Sequence, residues 1–261
     1  MARNHMTSVD GVQCFDGIGI RATASTTPAE VTVENNSVSG FDYAVILATL
    51  PLATVNIRHN SFVGTPGSAG ITPFFNVLGE ISENSVTDNT SAGIGIAVVG
   101  VDNAVISHNH LSNNSYGIAF YTFTGDPNSD NGTVADNEVF GSDTDAIAIC
   151  GSSNVVKDNT ISGSTESGVN ITTVAVFGTG CTANNNVISS NIVNGACAGV
   201  LIDPTTSGTS IDENLMFNVT NIQLIGNTCP LPVAAKMAVA VRNTGSMGAR
   251  IAQRAAQMAK E

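Results

Sequence analysis

The six residues Val33-Glu34-Asn35-Asn36-Ser37-Val38 contain the pattern that decides the fold: an apolar residue, two others, an asparagine, one more residue and a second apolar residue. The same pattern recurs along the chain at intervals of 22–28 residues. Its eight asparagines are Asn36, Asn60, Asn84, Asn109, Asn137, Asn159, Asn186 and Asn214. Regular repetition at this period is typical of solenoids, in which one supersecondary unit stacks on the next.

A second apolar segment lies between successive asparagines, as in Gly93-Ile94-Gly95-Ile96, Gly117-Ile118-Ala119-Phe120 and Ala146-Ile147-Ala148-Ile149. Alternation of this kind, bounded by Gly, Asn and Ser, indicates short β-strands. A three-strand unit cannot bury its own apolar face, so each strand is expected to pair with its copy one rung along, about 4.8 Å away. The sequence therefore predicts an all-β fold, a three-sheet parallel solenoid of about eight to nine rungs.

The recurring asparagines are predicted to form a ladder without a role in function. Each is expected at a sharp bend that needs a positive φ, which Asn tolerates better than other non-glycine residues. Buried amides one rung apart can hydrogen-bond to each other and to the turn backbone.

The Asn-anchored unit, I-x-x-N-x-[VI], resembles the right-handed parallel β-helix repeat of the pectin-lyase-like superfamily over roughly residues 12–228. The resemblance implies a right-handed parallel β-helix. It leaves the activity open, because the superfamily includes lyases, hydrolases, epimerases, phage tailspikes, adhesins and binding modules without catalysis.

The chain divides into three parts on this basis. Met1–Met6 is short and polar and is expected to be an added leader, 7–230 is the β-helix, and 231–261 is a C-terminal cap. A helix is predicted from about Ser246, which can cap it. One face of this helix carries Ile251, Ala255 and Met258. That face is expected to seal the last rung, with self-association as the alternative.

Charge limits the partners. Nine Lys and Arg stand against 21 Asp and Glu, a net charge of −12, which argues against nucleic acid. No apolar run is long enough to span a membrane, so no membrane insertion is expected. The five cysteines are interpreted as small buried hydrophobic residues, with their pairing left open and at least one thiol free.

The outer face of the Gly-Ile-x-Ile strands is predicted to be flat and neutral. One outward column is expected to hold Gly19, Ile46, Thr72, Gly95, Ala119, Ala148, Asn170, Leu201 and Gln223. The next is expected to hold Arg21, Ala48, Phe74, Ala97, Tyr121, Cys150, Thr172, Asp203 and Ile225. Such a face suits packing against a protein surface or a sugar ring, and it lacks the paired carboxylates of acid–base catalysis.

The acidic run from Gly125 to Asp145 provides a second candidate. Asp126, Asn128 and Asp130 alternate in a tight turn and could direct three oxygens at Ca²⁺, with a solvated acidic turn as the alternative. The stretch also resembles the Tyr…Asp-Pro-His segment of β-helix alginate epimerases, but Asn128 stands where that chemistry needs His. The catalytic candidates of this region are Tyr121, Asp126, Asp130, Asp143 and Asp145.

A third candidate is the column of residues that directly precede the asparagines. It includes Asn35, His59, Glu83, His108, Asp136, Asp158, Asn185 and Glu213. Alternating His and carboxylates could bind a transition metal or act as an acid–base set. A surface ladder of opposite charges is the alternative interpretation.

Two functions follow. The first is a β-solenoid of a secreted, cell-surface or phage-type protein that binds polysaccharide or assembles with its own copies through the flat face, without catalysis. The alternative is a polysaccharide lyase, hydrolase or epimerase with its site in the turns around Tyr121–Asp145. Either function implies an extracellular or cell-surface location, and no cofactor is required apart from the candidate Ca²⁺.

Overall fold

A computed structural model describes residues 3–7, 16–22, 29–41, 43–49, 53–64, 69–74, 79–89, 93–123, 127–174, 180–226 and 229. Within these ranges every strand pairs in parallel with its neighbours, in three sheets, as predicted. This part of the chain contains no helix that could cross a membrane. The helix predicted from about Ser246, and the rest of 231–261, lie outside the described residues.

The chain visits the sheets in a fixed order, here named C, A and B, so that each rung contributes one strand to each sheet. Sheet A precedes the asparagine bend and consists of Ala29–Glu34, Ala53–Arg58, Glu80–Ser82, Val105–Ser107, Thr133–Ala135, Val155–Lys157, Val187–Ser189 and Ser210–Asp212. Sheet B follows the bend and consists of His5–Thr7, Ser37–Ser39, Ser61–Val63, Ser85–Thr87, His110–Ser112, Glu138–Phe140, Thr160–Ser162, Ile192–Asn194 and Leu215–Phe217. Sheet C consists of Asp16–Ala22, Tyr43–Thr49, Ala69–Phe74, Ile94–Val99, Tyr116–Tyr121, Ile147–Ile149, Ser167–Ile171, Ala198–Ile202 and Asn221–Ile225.

The core runs along the axis of the coil, because each inward apolar side chain lies on its counterpart one rung away. Ile106 in sheet A is in register with Ile81 and Val134, and all three are buried. Stacking of β-branched side chains on the pleated surface removes nearly all of their apolar area from water, which is the main stabilising contribution.

The predicted asparagine ladder is confirmed. The side-chain nitrogen of Asn84 donates to the side-chain oxygen of Asn109 at 3.0 Å, and Asn109 donates to Asn137 at 2.9 Å. The same nitrogen of Asn109 also donates to the carbonyl oxygens of Ile81 and Ser107. These buried amides are therefore fully satisfied within the bend.

One ladder assignment is wrong: Asn186 lies at a different bend. Its side-chain oxygen accepts the backbone N–H of Asn154, whereas Asn159 donates to Asn191 and Asn191 donates to Asn214. The pattern occurs twice in this rung, offset by five residues, as Ala183…Asn186…Ile188 and as Ile188…Asn191…Val193. The pairing of Ile188 with Val156 selects the second.

The expected positive φ also belongs to a different residue. It falls on the residue before each of the eight ladder asparagines from Asn36 to Asn214, with values of 53–57°, at Asn35, His59, Glu83, His108, Asp136, Asp158, Ser190 and Glu213. This residue turns the chain and directs its own side chain outward, which lets the next side chain enter the core. The seventh member of the predicted outward column is therefore Ser190 and not Asn185.

Residues 3–7, which the sequence assigns mostly to a leader, continue the repeat. The strand His5–Thr7 pairs with Ser37–Ser39, and the side chain of Asn4 donates to that of Asn36 at 2.9 Å. Asn4 is therefore a ninth asparagine of the ladder.

Candidate functional site

The outer face of sheet C differs from the flat neutral surface that the sequence predicts. Gly95 points inward, since an added Cβ would come within 2.6 Å of the Leu111 side chain, and Ala97 takes the outward place beside Ala119. The two predicted outward columns change at two more positions. The residue paired with Leu201 is Leu224, where Gln223 was predicted. The residue paired with Tyr121 is Val99, where Ala97 was predicted.

This face is buried. Its middle rungs form an apolar cluster separate from the axial core, with Ala97, Ala119, Val99, Tyr121 and Cys150 each exposed by 0%. Tyr121 contacts Phe123 edge to face, with ring centroids 5.6 Å apart. The middle rungs of this face are therefore not open to solvent, and binding through the face stays a prediction.

Two carboxylates lie beside this cluster, the predicted candidate Asp145 and also Glu166, which was not among the candidates. Asp145 lies two residues before the sheet C strand Ile147–Ile149, and its exposed fraction is 3%. The Ser167 hydroxyl donates to one carboxylate oxygen at 2.5 Å and the Asn170 amide donates to the other at 2.9 Å. Burial raises the pKa of Asp145, and these hydrogen bonds, which favour the charged form, oppose that rise.

Glu166 lies one rung further, next to Ser167. Its backbone N–H donates to the carbonyl of Thr144 at 3.0 Å, and one of its carboxyl oxygens accepts the backbone N–H of Cys229 at 3.2 Å. Partial burial, together with the charge of Asp145, raises the pKa of Glu166 from 4.5 to about 7. The Cys229 amide acts in the opposite direction.

Tyr116 occupies the rung before Asp145 in the same outward column. Burial, and then the negative charge of Asp145, raise the pKa of its phenol well above the usual value, against a hydrogen bond with Thr144. The phenol therefore remains protonated in the physiological range and can only be a neutral donor or acceptor.

Tyr116, Asp145 and Glu166 are called the acidic cluster below. Glu166 is the member of this cluster that can exchange a proton, because a carboxyl group with a pKa of about 7 can both give and take a proton near neutral pH. Asp145 has both oxygens engaged and acts on Glu166 through its charge.

The structure places the predicted catalytic candidates in different environments. Asp145 belongs to the acidic cluster, whereas Tyr121 lies in the apolar cluster. Asp143 donates its backbone N–H to Asn114, and Asp130 accepts the backbone N–H of Ser152 at 2.6 Å, so both serve turns of the coil. Asp126 lies outside the described residues.

Tyr116 and Glu166 are not among the residues that the sequence patterns indicate. The sequence nevertheless contains a signal for both residues. When the sheet C strands are written one above another, one per rung, Tyr116, Asp145 and Ser167 fall in one column and Glu166 lies next to it. The missing information was which residue of each strand faces outward.

The predicted Ca²⁺ site of Asp126, Asn128 and Asp130 stays a prediction. In the part of the chain that the structure describes, no three His, Cys, Asp or Glu side chains are grouped so that they could hold a metal ion. In the column that precedes the ladder, His59 pairs with Glu83 at 2.8 Å, and both side chains are about half exposed, as in a surface ladder of opposite charges.

Two disulfide bonds supply the pairing that the sequence leaves open, so four of the five cysteines are more than small buried hydrophobic residues. Cys150 pairs with Cys181 and Cys197 pairs with Cys229, with Cα atoms 5.7 and 6.2 Å apart. The winding of the coil brings residues 31 and 32 positions apart into contact, which spacing alone did not indicate. Cys14 lies outside the described residues.

Sheet B carries an open polar face. His110 pairs with Glu138 across one rung at 3.1 Å, and their side chains are 50% and 61% exposed. The Phe140 ring lies 5.4 Å from the His110 ring, and Ser85, Ser112 and Thr160 stand beside them in register. The Phe140 ring and the hydrogen-bonding groups of His110 and Glu138 therefore lie side by side on one exposed sheet face.

The sequence profile described as "Right handed beta helix region" matches residues 2–127 and 79–216. Among solved structures, the chain is similar to the A-module of the Azotobacter vinelandii mannuronan C-5 epimerase AlgE4, with a TM-score of 0.50, 17% identity and coverage of 78% of this chain and 63% of that one. A double mutant of the periplasmic alginate epimerase AlgG has a TM-score of 0.48, 19% identity and coverage of 75% and 51%.

PfbA, a surface adhesin of Streptococcus pneumoniae, has a TM-score of 0.42, 14% identity and coverage of 73% and 62%. The chain thus spans between about half and just under two thirds of the length of these structures. A sequence search of curated proteins finds no match. The similarity to the AlgE4 A-module concerns the fold.

Proposed function

The chain belongs to the right-handed β-helix family, and on that premise we propose that it is a carbohydrate-active enzyme that works by general acid–base catalysis at Glu166. The observation that carries this proposal is the environment of one carboxyl group. Glu166 is partly buried beside the charge of Asp145, and its pKa of about 7 suits proton exchange at neutral pH.

Each member of the acidic cluster has a distinct role in this proposal. Glu166 exchanges the proton with the glycan through the carboxyl oxygen that does not accept the Cys229 amide. Asp145, held by Ser167 and Asn170, is a positioning residue whose charge keeps the Glu166 proton in place. Tyr116 provides a neutral phenol on the adjacent rung.

The substrate class is proposed from two supports. A structural neighbour, the AlgE4 A-module, is a mannuronan C-5 epimerase, which makes glycans the first class to test. Residues 1–230 contain 20 acidic residues and only four basic ones, Arg3, Arg21, Arg58 and Lys157. This charge favours a glycan without carboxylate groups over a uronate polymer.

The test is turnover of a panel of neutral and uronate polysaccharides, followed by reducing-end release, by ultraviolet absorbance of unsaturated products and by NMR for epimerisation. Glu166→Gln should lower the rate by about 10²–10⁴-fold, the usual contribution of a general acid or base. Glu30→Gln, at an exposed carboxyl of sheet A, is the matched control and should keep the wild-type rate. Equal rates in the two variants would reject the assignment.

A second candidate function rests on the open face of sheet B. A β-helix without catalysis could bind polysaccharide there, with a sugar ring on Phe140 and hydroxyl groups on His110 and Glu138. Phe140→Ala should then weaken glycan binding in calorimetry, whereas Glu166→Gln should leave it unchanged.

The two disulfides favour an oxidising compartment, and we propose that the protein works outside the cytoplasm. Catalysis at Glu166 needs no cofactor. Ca²⁺ at Asp126, Asn128 and Asp130 would then stabilise the fold without taking part in the reaction.

A further inference from the structure

Cys229 is 63 residues from Glu166 in the sequence, yet its backbone N–H donates to the Glu166 carboxyl at 3.2 Å. Cys229 is 1% exposed and packs with Ala198 and Leu201. It is covalently tied to Cys197.

The winding of the coil explains why this disulfide reaches Glu166. Ser167 is in register with Ala198, and the backbone N–H of Ala198 donates to the carbonyl of Glu166 at 2.9 Å. Cys197 therefore lies one rung directly beyond Glu166. A residue bonded to Cys197 is held against the Glu166 side chain.

We propose that the Cys197–Cys229 disulfide is a positioning strap, which holds the Cys229 backbone against the Glu166 carboxyl and shields that carboxyl from water. This inference rests on the proposed function, because it assigns a positioning role at the same site. Its test, however, is made on the carboxyl group itself and does not need a substrate.

The strap has two opposing effects on Glu166. The Cys229 amide hydrogen bond favours the charged carboxylate, whereas burial of Glu166 by its whole surroundings, the largest cause of its raised pKa, favours the neutral acid. Because Cys229 is itself buried and lies within hydrogen-bond distance of the carboxyl, we assign to it a share of that burial that outweighs its hydrogen bond. The other group that acts on Glu166 is the Asp145 carboxylate. The Tyr116 phenol belongs to the same cluster, and the charge of Glu166 contributes to the rise in its pKa. Opening the strap should therefore lower the pKa of Glu166 toward its ordinary value, while Asp145 and Tyr116 stay in place.

The strap can be opened chemically. A dithiol reductant supplies two electrons and two protons, the Cys197–Cys229 S–S bond breaks into two thiols, and the reductant is oxidised to its own disulfide. The Glu166 carboxyl would then respond to the redox state of its surroundings.

The experiment is an NMR titration of the Glu166 side-chain carboxyl, assigned by its absence in Glu166→Gln. Oxidised wild type should titrate at about 7. The double variant Cys197→Ser, Cys229→Ser should titrate well below that value, toward 4.5. The matched control is Cys150→Ser, Cys181→Ser, which removes a disulfide of nearly equal sequence separation that no contact links to Glu166 among the described residues. It should keep the wild-type midpoint.

A second measurement covers the possibility that the double variant does not fold. In the Cys150→Ser, Cys181→Ser background, dithiol reduction of the folded protein opens the Cys197–Cys229 bond, and the midpoint should fall in the same sample. A midpoint that stays at about 7 after reduction, or one that falls equally in the control, would overturn the strap. If the Glu166 midpoint falls on opening the Cys197–Cys229 bond but the protein turns over no glycan, the proposed function is rejected and the positioning role of the disulfide is retained.

Discussion

Sheets B and C belong to one parallel coil, but their outer faces have opposite environments. On sheet B, the His110–Glu138 pair is at least half exposed, so water and salt weaken its attraction. On sheet C, Asp145 and its hydrogen-bond partner Ser167 are buried, and the pKa of neighbouring Glu166 rises to about 7. Parallel strands of one coil thus carry a solvated charge pair on one face and a partly buried carboxyl group of raised pKa on the other, and burial makes the difference.

The largest expected effect comes from placing a new charge on each face. Ala119→Asp introduces an unpaired carboxylate into the buried cluster of sheet C and should lower the free energy of unfolding by about 3–5 kcal/mol. Ser162→Asp, on the partly exposed face of sheet B, should change it by less than about 0.5 kcal/mol. Urea unfolding of both variants measures the contrast, and similar losses would show that the two faces are equally covered.

The asparagines allow the same comparison between buried and exposed amides. Asn109→Ala removes an acceptor for the Asn84 side chain inside the bend and should cost about 1–3 kcal/mol, because buried partners lose their hydrogen bonds. Asn194 accepts from Asn218 at 2.9 Å on the exposed surface, and Asn194→Ala should cost less than about 0.5 kcal/mol. Thermal unfolding of the two variants makes the comparison. Equal losses of stability would mean that burial does not increase the contribution of the ladder asparagines.

Stability should depend on pH through Glu166. Its pKa is raised from 4.5 to about 7 in the folded protein, so the folded state binds the extra proton between these values. The corresponding stability is present below pH 4.5 and is lost as the pH rises through about 7, giving about 1–3 kcal/mol more stability at pH 5 than at pH 8.

Glu166→Gln should reduce this pH dependence, and Glu138→Gln, on sheet B, should retain it. Denaturant unfolding at the two pH values makes the comparison. A wild-type protein that is more stable at pH 8 than at pH 5 would contradict the raised pKa.

The exposed His110–Glu138 pair itself should contribute little to stability. His110→Ala removes a partner of Glu138 that is half in water, and it should cost no more than about 1 kcal/mol. The loss should shrink further in high salt, because the pair is screened. A salt-independent loss would indicate that contact with Phe140, and not charge, holds His110 in place.

Most of the fold could be predicted from the sequence, because a solenoid repeats one local rule in every rung. The spacing of Asn84, Asn109 and Asn137 was sufficient to predict a three-sheet coil with a buried ladder. The rule failed where the pattern occurs twice in one rung, at Asn186 and Asn191, since only strand pairing chooses between them.

The acidic cluster was less accessible to sequence reasoning. Asp145 was among the candidates, but Tyr116 and Glu166 were not, because alternation between the two faces is broken at a glycine of sheet C, where Gly95 and the next residue, Ile96, both face the axial core. Gly95 turns inward there, so strict alternation assigns the wrong residues to the outer face.

By itself, then, the amino-acid sequence determined the repeat, the three parallel sheets and the asparagine ladder, since these depend on residue type and spacing within one rung. The tertiary structure alone decided what lies across rungs: the cover over sheet C, the two disulfides and the meeting of Glu166 with Cys229. The physical reason is that burial and through-space charge set the pKa of a carboxyl group, and neither is a property of the residues next to it in the chain.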